Sequence, residues 1–363
     1  MYTCIPMTRL GLETYQSDIS SIYTQVNQLL YEGKKVFQVK ETFRSNTKRF
    51  PEGHFIFPGS LLIEETEGFE SISMDELEGE LDETKVAPLN LKRRIAFLDG
   101  KNCAPFCSDP FYHFFNAYGL KVERITDLEV RDGILKEVDV LIVPGGPDAG
   151  ESYYEGLGEK GYDEIRSFVA RGGGYLGSCA GSYFPLSGED DHSAQDMWLN
   201  MVPVTDQSGL DYWRTGTGFV RIEFDDVTHP ITFGLAMGRP STVDMIYWEG
   251  PAFHLLDDKD VHVIASYKDF IASGKEPPSW NLEKNPIAQE AMKWANPLTK
   301  QRFTEHLQGV PAIIEAPFGN GHMVLISPHA EFGTCGTEHE MKNNPNYLLL
   351  MNSLYYLSGM NGQ

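Results

Sequence analysis

At 363 residues, with 41% hydrophobic and 12% aromatic side chains, the chain holds enough apolar material for one large α/β domain plus a smaller unit, which excludes a disordered or low-complexity protein. A formal charge of −22 argues against nucleic acid and anionic membrane surfaces as partners, because both would be repelled at long range. Five cysteines without dense spacing do not make a disulfide framework, and neither a leader-like start over 1–18 nor a membrane-length apolar window is visible, so the expected compartment is reducing and cytoplasmic.

In chain order, 17–32 carries Ile19, Ile22, Tyr23, Val26, Leu29 and Leu30 at helical spacing and stops at Gly33, a C-terminal cap. Residues 35–43 and 54–64 read as strands around a turn containing Pro51 and Gly53. Ser73 with Glu76 forms a capping box before a short acidic helix to Leu81, and the acidic stretch 78–90, with Pro88, reads as a linker. Residues 1–90 are thus expected as a small α+β N-terminal domain and 91–363 as the main domain. From Arg93 strands and helices alternate: strands at 95–98, 121–125 and 138–143, helices at 110–118 and 162–170. That pattern predicts a parallel sheet covered by helices on both faces, with functional loops at the carboxyl ends of its strands. The β-branched and aromatic stretch 197–267 predicts antiparallel additions, and 279–308 a polar, partly helical insertion. A hairpin over 312–316 and 322–327 and a closing helix over 347–357 complete the reading.

Chemistry concentrates at three strand ends. Gly177-Ser178-Cys179-Ala180-Gly181 reads as a strand turning sharply into a helix, a bend whose small neighbours make room for a thiol and whose unpaired N–H groups favour thiolate. Val324-Leu325-Ile326-Ser327-Pro328-His329-Ala330-Glu331 is an apolar strand ending in His-x-Glu; if extended, it puts His329 and Glu331 on one face, where the carboxylate orients the imidazole. Val143-Pro144-Gly145-Gly146 ends a third strand in a glycine turn whose N–H groups, with that of Ala180, would make an oxyanion hole.

Strand-Pro-Gly-Gly, Gly-x-Cys-x-Gly and His-x-Glu in that order resemble the class I glutamine amidotransferase-like superfamily. Within it the stretch from Arg171 to Tyr183, Tyr247-Trp248-Glu249-Gly250-Pro251 and Gly319-Asn320-Gly321-His322 are most similar to the biotin-protein ligase N-terminal domain family. The resemblance covers 93–359 and implies a flavodoxin-like, mostly parallel sheet. It also implies Cys179 as nucleophile, His329 as general base, Glu331 as its orienter, and Gly145, Gly146 and Ala180 around the oxyanion. The implied activity is cleavage of a glutamine-type carboxamide or amide through a thioester. No cofactor is implied, and an ammonia-accepting synthase is a candidate partner beside the small-molecule amide itself. Neither a biotin-ligase catalytic segment nor such a synthase is recognisable in the chain, so the alternative is a non-catalytic or regulatory module that binds a small molecule on the same scaffold.

Asp148, Tyr183, Tyr247 and Trp248, with Glu249, sit at strand ends that converge on Cys179 and are candidate substrate-binding residues. Cys103 and Cys107 lack the second pair that a structural zinc site needs, and Glu189-Asp190-Asp191-His192 reads as a solvated acidic loop, so no metal is expected. Cys335 and His339 lie in a glycine-containing loop, where approach to the cleft and simple packing are equally open.

Overall fold

The computed structural model describes residues 2–5, 18–45, 48–50, 52–58, 84–92, 94–101, 103, 105–146, 150–189, 197–207, 216–235, 241–257, 259–273, 298–332 and 346–359. By its contacts the chain divides into two compact units, Met1–Leu91 with Phe115–Leu120, and Lys92–Phe114 with Lys121–Gln363.

In the first unit, helix α1 (Asp18–Tyr31) buries Ile22, Tyr23, Val26 and Leu29, the stripe expected from the sequence. It ends at Gly33, whose φ of +77° lets the Lys34 N–H return to the Leu29 carbonyl at 2.9 Å. Among the described residues of this unit the strands are β1 (Tyr2–Ile5), β2 (Val36–Val39), β3 (Phe43–Ser45), β4 (Lys48–Phe50), β5 (Phe55–Pro58) and β6 (Val86–Leu89). β3 and β4 form a hairpin, and the others an antiparallel sheet in the order β1-β5-β2-β6. Tyr23 meets Phe55 edge-on at 5.3 Å, and Val39, Phe43, Phe50, Ile56 and Val86 pack as a second cluster. The expected linker is therefore partly strand. Val86 is buried and pairs with Val39, while Pro88, which lacks an N–H, is accommodated because β6 is an edge strand. The expected acidic helix after Ser73 lies outside the described residues.

The second unit runs β7 (Ile95–Leu98), α2 (Pro105–Ala117), β8 (Val122–Ile125), α3 (Asp127–Arg131), β9 (Val140–Val143), α4 (Glu151–Ala170), β10 (Gly174–Ser178) and α5 (Ala180–Tyr183). It continues through β11 (Val204–Asp206), β12 (Thr217–Phe224), β13 (Thr242–Trp248), β14 (Phe253–Leu255), β15 (His262–Ser273), α6 (Lys300–His306), β16 (Pro311–Phe318), β17 (Gly321–Ile326) and α7 (Asn346–Gly359). Nine strands form one sheet in the order β13-β12-β15-β16-β17-β10-β9-β7-β8. Its β8-β7-β9-β10-β17 half is parallel, with the strand order 2-1-3-4-5 of a flavodoxin-like fold, and β16, β15, β12 and β13 extend it antiparallel.

Both faces of the parallel half are covered, so β7 and β9 are buried at every residue and read as unbroken apolar runs. Helix α4 sets Tyr153, Leu157, Ile165 and Phe168 against Leu141, Val143 and Tyr175 on one face. On the other, Leu357 of α7 lies so close to Gly174 that a side chain there would meet its Cβ at 2.9 Å. Among the described residues no helix is long and apolar enough to cross a membrane.

Candidate active site

Register brings the three motifs together. β10 lies between β9 and β17, with Gly177 opposite Val143 and Ser178 opposite Ile326, so the residues that follow each strand emerge side by side. Parallel neighbours end at the same edge of a sheet, which is why segments 150 residues apart in sequence meet here.

Cys179 occupies the bend with φ +50° and ψ −115°, a conformation unfavourable for a residue with a Cβ. Surrounding bonds hold it there: its N–H donates to the Ile326 carbonyl at 3.0 Å, and its own carbonyl accepts Ser182 Oγ at 2.7 Å and the Ser182 N–H at 2.8 Å. The flanking glycines are steric requirements, since a Cβ on Gly177 would lie 2.3 Å from the Gly181 carbonyl oxygen and one on Gly181 2.1 Å from that of Val143. The helix that follows is a single turn, shorter than the bend suggested. Cys179 Sγ donates to the Trp248 carbonyl at 3.5 Å.

The His-x-Glu pair meets, though by a different route from the extended strand expected. β17 ends at Ile326, the chain bends at Ser327 and Pro328, His329 bridges to Ile246, and Ala330–Phe332 forms a 3-10 turn. The turn folds Glu331 back, so its Oε1 lies 2.8 Å from His329 Nδ1. Pro328 and the bond from the His329 N–H to the Ile246 carbonyl at 2.8 Å fix the bend. Ser178, the residue before the elbow cysteine, donates its hydroxyl to both Glu331 oxygens at 2.9 and 3.1 Å, tying the thiol's strand to the carboxylate.

His329 and Glu331 are fully buried. Burial alone would lower the imidazole's pKa, but the neighbouring Cys179 sulfur and then Glu331 outweigh it and raise the ring to about 10. Nε2 is buried with no hydrogen-bond partner among the described residues, and the Cys179 sulfur acts on the ring chiefly through charge. The His329 ring lies 4.5 Å from that of Phe332 and 6.3 Å from that of Trp248, in an aromatic wall.

The Pro-Gly-Gly turn comes against the elbow: a Cβ on Gly145 would lie 3.3 Å from Cys179 Cβ and 2.7 Å from Cys107 Sγ. Among the described residues no acceptor takes the N–H of Gly146 or Ala180. Cys107 is therefore a neighbour of the elbow thiol, which its sequence position did not reveal. Burial, then the adjacent Cys179 and Glu331, holds its thiol far above the ordinary range, and burial pushes Cys103 up to about 12.

Of the candidate pocket residues, Asp148 lies outside the described residues, as do Asp190–His192, Cys335 and His339. Trp248 borders the thiol. Tyr183 donates to the Glu249 carbonyl at 3.0 Å and packs on Trp198. Tyr247 points into the core, edge-on to Tyr267, with its hydroxyl donating to the Gly250 carbonyl at 2.6 Å. The Gly250-Pro251 end of the stretch packs on the segment leading to His329: Gly250 abuts the Ser327 carbonyl, where a Cβ would come within 2.1 Å, and the Pro251 carbonyl accepts Ser327 Oγ at 2.6 Å. Among the described residues no cluster of metal-ligating side chains occurs.

A flavodoxin-like sheet whose central strand ends in a strained cysteine, facing a buried histidine–glutamate pair from the next strand, defines the structural class. Residues 125–356 match the family described as biotin-protein ligase, N terminal, and the chain belongs to that family. A segment of 63 residues is 46% identical to the biotin–protein ligase of Schizosaccharomyces pombe; it covers 17% of this chain and only 10% of that enzyme. Among solved structures, the chain is similar to a glutamine amidotransferase (14% identity, TM-score 0.43, 73% of this chain and 99% of that one). A glutamine amidotransferase from Thermotoga maritima (12%, 0.43, 73% and 98%) and a cytoplasmic protein from Salmonella typhimurium LT2 (12%, 0.43, 73% and 99%) are similar to the same degree.

Proposed function

We propose that the chain is a cysteine-dependent hydrolase of the amidotransferase type that cleaves a carboxamide or related amide through a thioester. The observation that carries this reading is the in-register pairing of Ser178 with Ile326, which sets Cys179 beside the His329–Glu331 pair.

In this reading Cys179 gives its thiol proton to His329 Nε2, the thiolate attacks the amide carbon, and the carbonyl electron pair moves onto oxygen, where the N–H groups of Gly146 and Ala180 receive it across the turn shaped by Gly145. His329 gives its Nε2 proton to the departing nitrogen, the C–N bond breaks, and ammonia or an amine leaves behind an acyl thioester. The neutral ring then takes a proton from water, the resulting hydroxide attacks the thioester, and the C–S pair returns to sulfur as the acid is released. Glu331 keeps Nδ1 as the protonated nitrogen and balances the ring's charge, while Ser178 fixes the carboxylate. Asp148, Tyr183 and Trp248 are the proposed pocket, while Tyr247, expected there from the sequence, instead braces it from the core through the Gly250 carbonyl. The released ammonia escapes into solvent or passes to a separate synthase, and the setting is the cytoplasm, a reading supported by the free buried thiols of Cys103, Cys107 and Cys179.

The test is ammonia release from a panel of primary carboxamides. Wild type should release it and Cys179→Ala should be slower by about a thousandfold or more. Equal inertness of both proteins toward the panel and toward electrophilic glutamine analogues would sink the proposal. The alternative, a binding or regulatory module, draws support from the depth of burial, with Cys179 only 7% exposed, and from the thiol's bond to Trp248. It requires Cys179→Ser to keep full biological function.

A further inference from the structure

A second thiol lies at the elbow. The point where a Cβ on Gly145 would stand is 2.7 Å from Cys107 Sγ and 3.3 Å from the β-carbons of both Cys107 and Cys179. The two cysteines thus close on one point, Cys107 from the first turn of α2 and Cys179 from the end of β10. Glycine puts a hydrogen there, and any larger residue would fill the space that the two side chains share. Charge on Cys179 is felt at the Cys107 thiol, and Tyr153, whose hydroxyl donates to the Pro144 carbonyl, is affected by both. Cys103 is engaged elsewhere, its Sγ donating to the Leu98 carbonyl at 3.3 Å.

The two thiols differ in what they can do. Cys179 is the more accessible, 7% exposed against 2% for Cys107, and has His329 to take its proton. Thiolate is the form that reacts with peroxide. Cys107 is held in the thiol form by burial and by the negative charge of Cys179 and Glu331, so it stays inert until an electrophilic sulfur appears beside it.

We propose that Cys107 and Cys179 form a redox modification site, in which a hydroperoxide oxidises Cys179 and Cys107 then closes a disulfide onto it. The Cys179 thiolate attacks the outer oxygen of the hydroperoxide, the O–O bond breaks, and the departing oxygen takes the proton held by His329. Cys179 is left as a sulfenic acid. Cys107 sulfur attacks it, the S–O bond breaks, and the thiol proton leaves with the hydroxyl as water. Two thiols give up two electrons and two protons, and the hydroperoxide becomes one alcohol, or water, and one further water. A disulfide sets its β-carbons about 3.5–4.5 Å apart, a spacing compatible with two β-carbons placed 3.3 Å from a common point. The bond takes the elbow sulfur out of reaction, protects it from further oxidation, and is reversed by a small thiol. It is a statement about thiol chemistry and stands or falls apart from the hydrolase reading.

The experiment treats the reduced full chain with excess hydrogen peroxide, caps the remaining thiols with N-ethylmaleimide in denaturant, and maps a digest by mass spectrometry without reductant. Two of the five cysteines should escape capping, and the Cys107 and Cys179 peptides should appear as one mass that dithiothreitol separates. The protein should still run as a monomer on a non-reducing denaturing gel. Cys107→Ser and Cys107→Ala should lose the cross-link. In them dimedone should label Cys179 about tenfold or more above wild type, and Cys179 should go on to sulfinic acid, which dithiothreitol does not reverse. Cys103→Ser should keep the cross-link. A wild-type Cys179 that pairs with Cys4, Cys103 or Cys335, that reaches sulfinic acid while Cys107 is capped in full, or that resists peroxide altogether overturns the site. Equal dimedone labelling of wild type and folded Cys107 variants overturns it as well. The wild-type map decides by itself, so the test does not depend on the variants folding.

Discussion

At the scale of single residues, the site depends on the charge balance around His329. Glu331→Gln should move the imidazole's titration well below about 10, because the carboxylate that helps to offset burial is lost. Histidine NMR titration reads this directly, and amide turnover should fall by about a hundredfold or more as the ring loses its orienter. Stability follows the same sign. A histidine whose folded pKa is raised from 6.5 to about 10 contributes stability that is complete below pH 6.5 and is lost as pH climbs through about 10. Urea midpoints measured across that window should fall with pH in wild type and change less in Glu331→Gln. The meeting of Cys179, His329 and Glu331 was legible because each follows an apolar strand whose end lies at the same edge of the sheet. Ser178 and Cys107 were not: a serine before a cysteine has no distinguishing spacing, and Cys107 reaches the elbow only through the packing of α2 under Gly145.

At the scale of elements, the site is made by close approach of backbones. Gly181→Ala would place a methyl group 2.1 Å from the Val143 carbonyl oxygen and 2.9 Å from that of Pro144, forcing β9 and the elbow apart. The expected loss is about 1–3 kcal/mol, read from the shift of the denaturation midpoint. The same variant should slow alkylation of Cys179 by iodoacetamide, because the thiol's placement depends on that contact. The parallel half of the sheet was readable from the alternation of strands and helices, since each crossover constrains its neighbours. The order β16-β15-β12-β13 was not, because antiparallel pairing over long connections leaves no local signature. The strand at Val86–Leu89 was hidden by its proline and the acidic stretch before it, and only its pairing with β2 shows why the segment is ordered.

For the whole molecule, charge sets the response to solution conditions. Among the described residues most ion pairs lie on the surface, as with Lys101–Glu155 and Arg166–Asp163, and such pairs contribute little. Self-repulsion from a formal charge of −22 outweighs them. Raising sodium chloride from about 10 mM to about 0.3 M should therefore increase the thermal midpoint at neutral pH, because screening relieves more repulsion than it removes attraction. A decrease would mean that the ion pairs dominate.

Four phenols brace the loops that carry the site. Tyr153 donates to the Pro144 carbonyl, Tyr175 to that of Gly181, Tyr247 to that of Gly250, and Tyr267 pairs with Ser327. Burial holds Tyr153, Tyr175 and Tyr267 well above the pH at which a free tyrosine ionises. In alkali these rings stay colourless in the phenolate band while their solvent-facing counterparts titrate, and they ionise together only when the scaffold gives way. The ultraviolet absorbance of the protein is thereby a built-in gauge of whether the loops around Cys179 are still clamped.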